Sequence, residues 1–431
     1  MGFGITRRGL ALTAGGFGAL AAGGAGWVYM WQRGTRPVVA LASDGARILD
    51  LVGPMEILGR LPDARPVYAG ETRGWKAAAS GPLRFEATST LSGEVERPDV
   101  IIVAGSPARE ATAAEVAWLR AAAPHARAVL GVGKGKDALA AAGLNADGVR
   151  IVACEGGAGA LDAALEIAAR LSGRTYAEGL QLAIEYDPAP PFAAGENMEL
   201  PGGLPSLRTG ILLYEGMTAL DAIGPYEVLS RAPSVSIDLV GIEAGPIRSD
   251  TGALHLQTNR TLADAPDYDL LIIPGGAYGT VQAAQDQTLV AWLRERTRGE
   301  GQVMSVCTGA LILAQSGALR GKTATTHWAS RDTLETLGST YVHERFVEHG
   351  RIITAAGVSA GIDVTLAALG RLLGEGAGAA IQAQLPYAPK PPFRSGAFQG
   401  ARAEVIETAS KILQHNATTS AVRMNFLKHR Q

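Results

Sequence analysis

The chain has 431 residues, 47% of them hydrophobic, and a net charge of −2. That length suits two or three domains with full cores, and the near-neutral, well-mixed charge excludes a basic nucleic-acid-binding stripe. Two cysteines, Cys154 and Cys307, exclude a disulfide framework, and the seven histidines stand at no metal-ligand spacing, so neither a metal nor a cofactor is expected.

Residues 1–36 form a distinct first segment. Arg7-Arg8 precedes an uncharged, Gly- and Ala-rich run from Gly9 to Trp31, about long enough to span a bilayer. The pattern resembles a twin-arginine export signal. Trp27, Tyr29 and Trp31 at its far end suit interfacial anchors. The segment is expected to meet the membrane, as a signal or an anchor, and to place the rest outside the cytoplasm. A buried N-terminal helix is the alternative.

The body reads as an internal duplication. Ile48–Leu58 matches Ala219–Leu229, including Asp50 with Asp221 and Gly53-Pro54 with Gly224-Pro225. Asp99–Gly105 matches Asp269–Gly275, and Arg150–Asp162 begins and ends as Arg351–Asp363 does. Each copy closes on a proline-rich signature, Tyr186–Phe192 and Tyr387–Phe393. The expected boundaries are 37–200 for the first copy, 201–396 for the second and 397–431 for a helical tail centred on Ala401–Leu413.

Within each copy, short apolar runs without alternation predict strands buried on both faces of a largely parallel sheet. They are Pro37–Ala42, Val100–Val103, Ile211–Tyr214, Leu270–Ile273 and Val303–Val306. Helical stretches such as Ala113–Ala122, Leu289–Arg298 and Ile362–Leu373 separate them. The βα alternation predicts an α/β fold of two tandem flavodoxin-like, doubly wound domains after the N-terminal hydrophobic segment. Ligands in such folds sit at the carboxyl ends of strands.

Cys307 falls at one of those ends, in Ser305-Val306-Cys307-Thr308-Gly309. A sharp strand-to-helix turn there would raise the sulfur above the sheet. The helix N-terminus is expected to lower the thiol pKa, and the N–H groups of Thr308 and Gly276 to stabilise developing negative charge. The competing reading is a small core cysteine.

These residues, with Leu319–Trp328, Pro274-Gly275-Gly276, Ala356–Asp363 and Pro391-Pro392-Phe393, resemble the ThiJ/PfpI family of the class I glutamine amidotransferase-like superfamily, in its isonitrile hydratase-like branch. The resemblance covers nearly all of the second copy. It implies a cofactor-independent lyase acting on a small molecule, with Cys307 as nucleophile and Asp221 as the carboxyl that meets the sulfur. Thr308 stands where many relatives outside this branch carry histidine. His327 would approach the site or serve structurally. An isonitrile would be attacked by the thiolate, protonated to a thioimidate, and hydrolysed to an N-substituted formamide. A redox or ligand sensor using the same cysteine and a hydrolase of another small substrate are the alternatives. Relatives pair two such domains as homodimers, so an intrachain pseudo-dimer or a homodimer is implied.

The first copy carries Gly133 where the nucleophile would stand, and Cys154 aligns with Ala355 instead. It is expected to be a non-catalytic partner. Gly131–Lys136 lacks the phosphate-loop spacing. Gly357-Val358-Ser359-Ala360-Gly361 matches the G-x-S-x-G elbow, but only His415 and His429 follow it.

Overall fold

A computed structural model describes residues 36–92, 95, 97–193 and 199–428; the expected export or anchor segment lies outside them. Among the described residues no helix is long and apolar enough to cross a membrane.

The first unit runs β1 (Arg36–Leu41), α1 (Ile48–Leu58), β2 (Ala64–Gly70), β3 (Gly74–Ala77), β4 (Arg84–Ala87), β5 (Ser89–Thr90), β6 (Val100–Ala104), α2 (Ala113–Ala122), β7 (Ala128–Val132), α3 (Gly135–Ala141), β8 (Ile151–Cys154), α4 (Ala158–Ser172) and α5 (Arg174–Ala183). The second opens with β9 (Leu207–Leu213), α6 (Ala219–Leu229), β10 (Val235–Gly241), β11 (Pro246–Arg248), β12 (His255–Gln257), β13 (Arg260–Thr261), β14 (Leu270–Ile273), α7 (Tyr278–Gln285), α8 (Gln287–Arg296), β15 (Gln302–Val306) and α9 (Gly309–Gln315). It continues with β16 (Thr323–Ala324), α10 (Arg331–Thr336), β17 (Thr340–Tyr341), β18 (Phe346–His349), β19 (Ile352–Ala355), α11 (Val358–Leu373) and α12 (Glu375–Gln384), and α13 (Ala403–Lys428) follows.

Both main sheets follow one plan. The first is ordered β5-β2-β1-β6-β7-β8 and the second β13-β10-β9-β14-β15-β19-β18. Every pairing is parallel except β18 with β19. Central strands such as β6 and β14 are buried at every position, which is why their sequences do not alternate.

The helices α1 and α6 are buried at every residue, because each packs between its own sheet and the other unit. Around them the units interlock. Leu256 of β12 pairs with Phe85 of β4, joining a four-stranded sheet, β11-β12-β4-β3, across the boundary. The Tyr226 hydroxyl donates to the Ser80 carbonyl (2.6 Å) and accepts from the Leu83 N–H (3.0 Å). Buried Arg60 bridges Glu56 of its own helix (2.6 Å) and Asp250 of the second unit (2.9 Å).

The proline-rich signatures are exchanged arms. Ala189 N–H donates to Asp363 (2.8 Å) and Phe192 N–H to Gln382 (3.1 Å) in the second unit. Reciprocally, Lys390 N–H donates to Asp162 (2.7 Å), and the Gln181 amide to the Phe393 carbonyl (2.9 Å). The expected cuts near 200 and 396 thus follow chain order but not packing.

The tail helix α13 is twice as long as its predicted core. Val405 and Ala409 are fully buried where α13 crosses α5, and Thr408 comes so close to Gly179 that a Cβ there would lie 2.6 Å from its methyl. Further on, Arg423 donates to the Asp250 carbonyl (2.8 Å), so α13 ties the two units together.

Candidate functional site

Strand β15 ends at Val306, and Cys307 turns the chain into α9 with φ at 56°. That left-handed conformation costs a non-glycine residue roughly 1 kcal/mol, so the surroundings must enforce it. The Cys307 N–H donates to the Ala355 carbonyl (3.0 Å) and its carbonyl accepts from the Thr326 hydroxyl (3.0 Å). These bonds pin the elbow between β19 and the segment after β16. The side chain is 9% exposed.

Asp221, in the first turn of α6, lies entirely buried, and its carboxyl acts directly on the Cys307 thiol. Its Oδ2 accepts from the Gly275 N–H (3.1 Å), while Oδ1 receives no N–H or O–H donor. A side chain at 275 would be impossible here: its Cβ would lie 2.6 Å from the Thr308 nitrogen and 2.8 Å from Asp221 Oδ2.

Charge is scarce in this pocket of acids. Burial, then the nearby Glu56, pushes the Asp221 carboxyl up to about 8. Burial, then Asp221 and Glu185, pushes the Cys307 thiol well above its ordinary value, against the opposing N–H of Thr308. The expected lowering by the helix N-terminus is therefore corrected. Helix α9 is only seven residues long, and its dipole and one N–H do not outweigh dehydration beside two carboxyls.

Of the expected anion-stabilising groups, only the Thr308 N–H acts on the thiol, opposing the rise in its pKa. The Gly276 N–H donates to the Thr308 hydroxyl (2.9 Å), and the Gly275 N–H is held by Asp221. Both glycines thus shape the site rather than offer free donors. The Thr308 hydroxyl also contacts the Gly276 carbonyl (3.0 Å) and the Thr280 hydroxyl (2.9 Å), which locks its rotamer.

His327 is placed structurally. Its Nε2 donates to the Ala183 carbonyl of the first unit (3.1 Å) and its Nδ1 accepts from the Ala329 N–H (3.3 Å). Burial pushes its pKa down to about 4, keeping the ring neutral. Both nitrogens are engaged at the unit boundary, so the ring offers no base to the sulfur. Ser359 is committed likewise: its fully buried hydroxyl donates to the Glu185 carbonyl (2.9 Å) and accepts from the Asp187 N–H (3.0 Å).

The first unit repeats the elbow without its chemistry. Gly133 has φ at 52°, and its N–H donates to the Cys154 carbonyl (3.0 Å), as Cys307 does to Ala355. Asp50 survives there, but its Oδ1 accepts from the Gly157 N–H (2.7 Å) rather than from Gly105. Cys154 stands on the next strand, its thiol pushed up to about 12 by burial.

Two acids of the Cys307 site escaped the sequence reading. Glu56 and Glu185 both come from the first unit. Glu185 immediately precedes the repeated Tyr186–Phe192 signature, and its counterpart before Tyr387 is Pro386. That difference between the repeats was the available signal.

A model described as the DJ-1/PfpI family matches residues 208–371. The chain is 40% identical to an isonitrile hydratase of Pseudomonas putida over 206 residues, 48% of this chain and 90% of that protein. It is 28% identical to the HTH-type transcriptional regulator CdhR of Pseudomonas aeruginosa over 162 residues, 36% of this chain and 47% of the regulator. Among solved structures, a ThiJ/PfpI family protein from Pseudomonas syringae aligns at 31% identity and a TM-score of 0.47, spanning 55% of this chain and 99% of that one. With the hydratase matched over nine-tenths of its length, the chain belongs to the DJ-1/PfpI family.

Proposed function

We propose that the protein hydrates an isonitrile to an N-substituted formamide, with Cys307 as nucleophile and Asp221 as proton carrier. The observation that carries this reading is the buried Cys307–Asp221 pair at a left-handed elbow. The similarity to the Pseudomonas putida hydratase supplies the substrate class.

The reactive tautomer places the pair's proton on Asp221 and leaves a thiolate facing the Thr308 N–H. Sulfur attacks the terminal isonitrile carbon, forming the S–C bond. The negative charge then develops on that carbon, so it needs a proton more than an oxyanion hole. Asp221 donates it, which gives a thioimidate, Cys307–S–CH=N–R. The carboxylate takes a proton from water as the oxygen adds to carbon. Asp221 passes that proton to the nitrogen and takes the hydroxyl proton as the C–S bond breaks, so that formamide leaves and the sulfur–carboxyl pair recovers its proton. One water is consumed, no electrons are exchanged, and the thiol is regenerated.

Incubation with cyclohexyl isonitrile, read by mass spectrometry, should yield N-cyclohexylformamide, and the Cys307→Ala variant should yield none above the uncatalysed rate. Equal formamide from the variant would refute the assignment.

A further inference from the structure

Glu185 of the first unit reaches into the second. It follows α5 with φ at 46°, a left-handed conformation rare for glutamate. The turn is clamped from across the boundary: the Ile184 carbonyl accepts from the Val358 N–H (3.2 Å), and the Glu185 carbonyl accepts from the Ser359 hydroxyl (2.9 Å). This strained turn swings the side chain into the second unit.

The carboxyl comes to rest between two segments that are each bonded to the nucleophile's own backbone. On one side its Oε1 accepts from the Trp328 N–H (3.3 Å), two residues past Thr326, whose hydroxyl holds the Cys307 carbonyl. On the other side lies Gly357, two residues past Ala355, which accepts from the Cys307 N–H. A Cβ on Gly357 would sit 2.7 Å from Glu185 Oε2. That oxygen is buried and has no hydrogen-bond donor. The carboxyl thus keeps one acceptor unfilled, near enough to Cys307 for its charge to act on the thiol.

We infer that Glu185 is a positioning residue of the Cys307 site, contributed across the unit boundary, whose carboxyl governs how the thiol and Asp221 hold their proton. This rests on the proposed nucleophilic role of Cys307. The first unit, which carries Gly133 at its own elbow, is on this view an obligatory part of the second unit's active site. The ionisable groups that act on Glu185 are Asp221 from α6, Arg345 from the loop before β18, and Asp187 beside it; Cys307 and Tyr341 of β17 feel its charge in turn. Burial pushes the Glu185 carboxyl up to about 8, so its ionisation overlaps the working range of the pair.

The test needs no substrate. The rate of Cys307 alkylation by iodoacetamide is followed against pH for the full chain, the Cys154→Ser background removing the other thiol. Glu185→Gln keeps the shape and the acceptor for Trp328 but removes the charge. It should shift the alkylation midpoint down by about one pH unit. Glu185→Asp, still ionisable, should lie between the two, and the exposed control Glu166→Gln should leave the midpoint in place. A Glu185→Gln midpoint equal to the parent's, in a variant with the parent's melting temperature, would overturn the inference. If Glu185→Gln does not fold, Glu185→Asp decides: a midpoint identical to the parent's overturns it and a lower one supports it. Absence of formamide from every protein, with the alkylation shift present, would count against the hydratase reading alone.

Discussion

At the scale of single residues, the site is organised by acids rather than by a base. Asp221 is fully buried, with Glu56 and Asp250 raising its pKa further. Its carboxyl is raised from 3.8 to about 8, so the folded chain binds that proton more tightly than the unfolded one does. Such a group favours folding most below pH 4, and its contribution is lost as pH rises toward 8. Asp221→Asn, which cannot ionise, should therefore melt close to the parent near pH 4 and ~3 °C or more above it at pH 9. Calorimetry at both pH values checks the sign. The same substitution should lower turnover by about 10²-fold, because the carbon would lose its proton donor. Cys307 and Asp221 were legible from their motifs. The direction of the thiol's shift was not, because it depends on burial and on Glu185, which approaches from far along the chain.

At the scale of elements, the elbow is the same object in both units. Gly133 and Cys307 share the left-handed turn and the N–H bond to the neighbouring strand. Glycine suits that backbone best, so keeping a cysteine there works against stability. Accordingly, Cys307→Gly should be more stable than Cys307→Ala by about 1 kcal/mol, measured by urea denaturation. The strands and most helices around the elbow were readable because unbroken apolar runs have few alternatives. The tail helix α13 was underestimated: Asn416-Ala417-Thr418-Thr419-Ser420 contains poor helix formers. What carries the helix through that stretch is tertiary, with Ser420 buried and Arg423 bonded to the second unit.

At the scale of the whole molecule, the repeat predicted two sheets, and two sheets of matching strand order are present. It did not predict which residues meet across them. The exchanged proline-rich arms and the Glu56–Arg60–Asp250 bridge join residues up to 228 positions apart. No local pattern encodes such pairings. Arg60 lies buried between both carboxylates, and Arg60→Ala would leave Glu56 without its ion-pair partner and Asp250 with Arg423 alone, at a cost of about 3–5 kcal/mol. Chemical denaturation should show that loss.

The covalent step on Cys307 is the claim on which the rest depends, and intact-protein mass spectrometry tests it most directly. The parent chain, mixed with an alkyl isonitrile and quenched with borohydride during turnover, should gain the mass of one isonitrile plus two hydrogens, mapped to the Cys307 peptide and absent when Cys307 is alanine. Formamide release by the parent, together with an adduct that persists after Cys307→Ala or maps to another residue, would contradict the account.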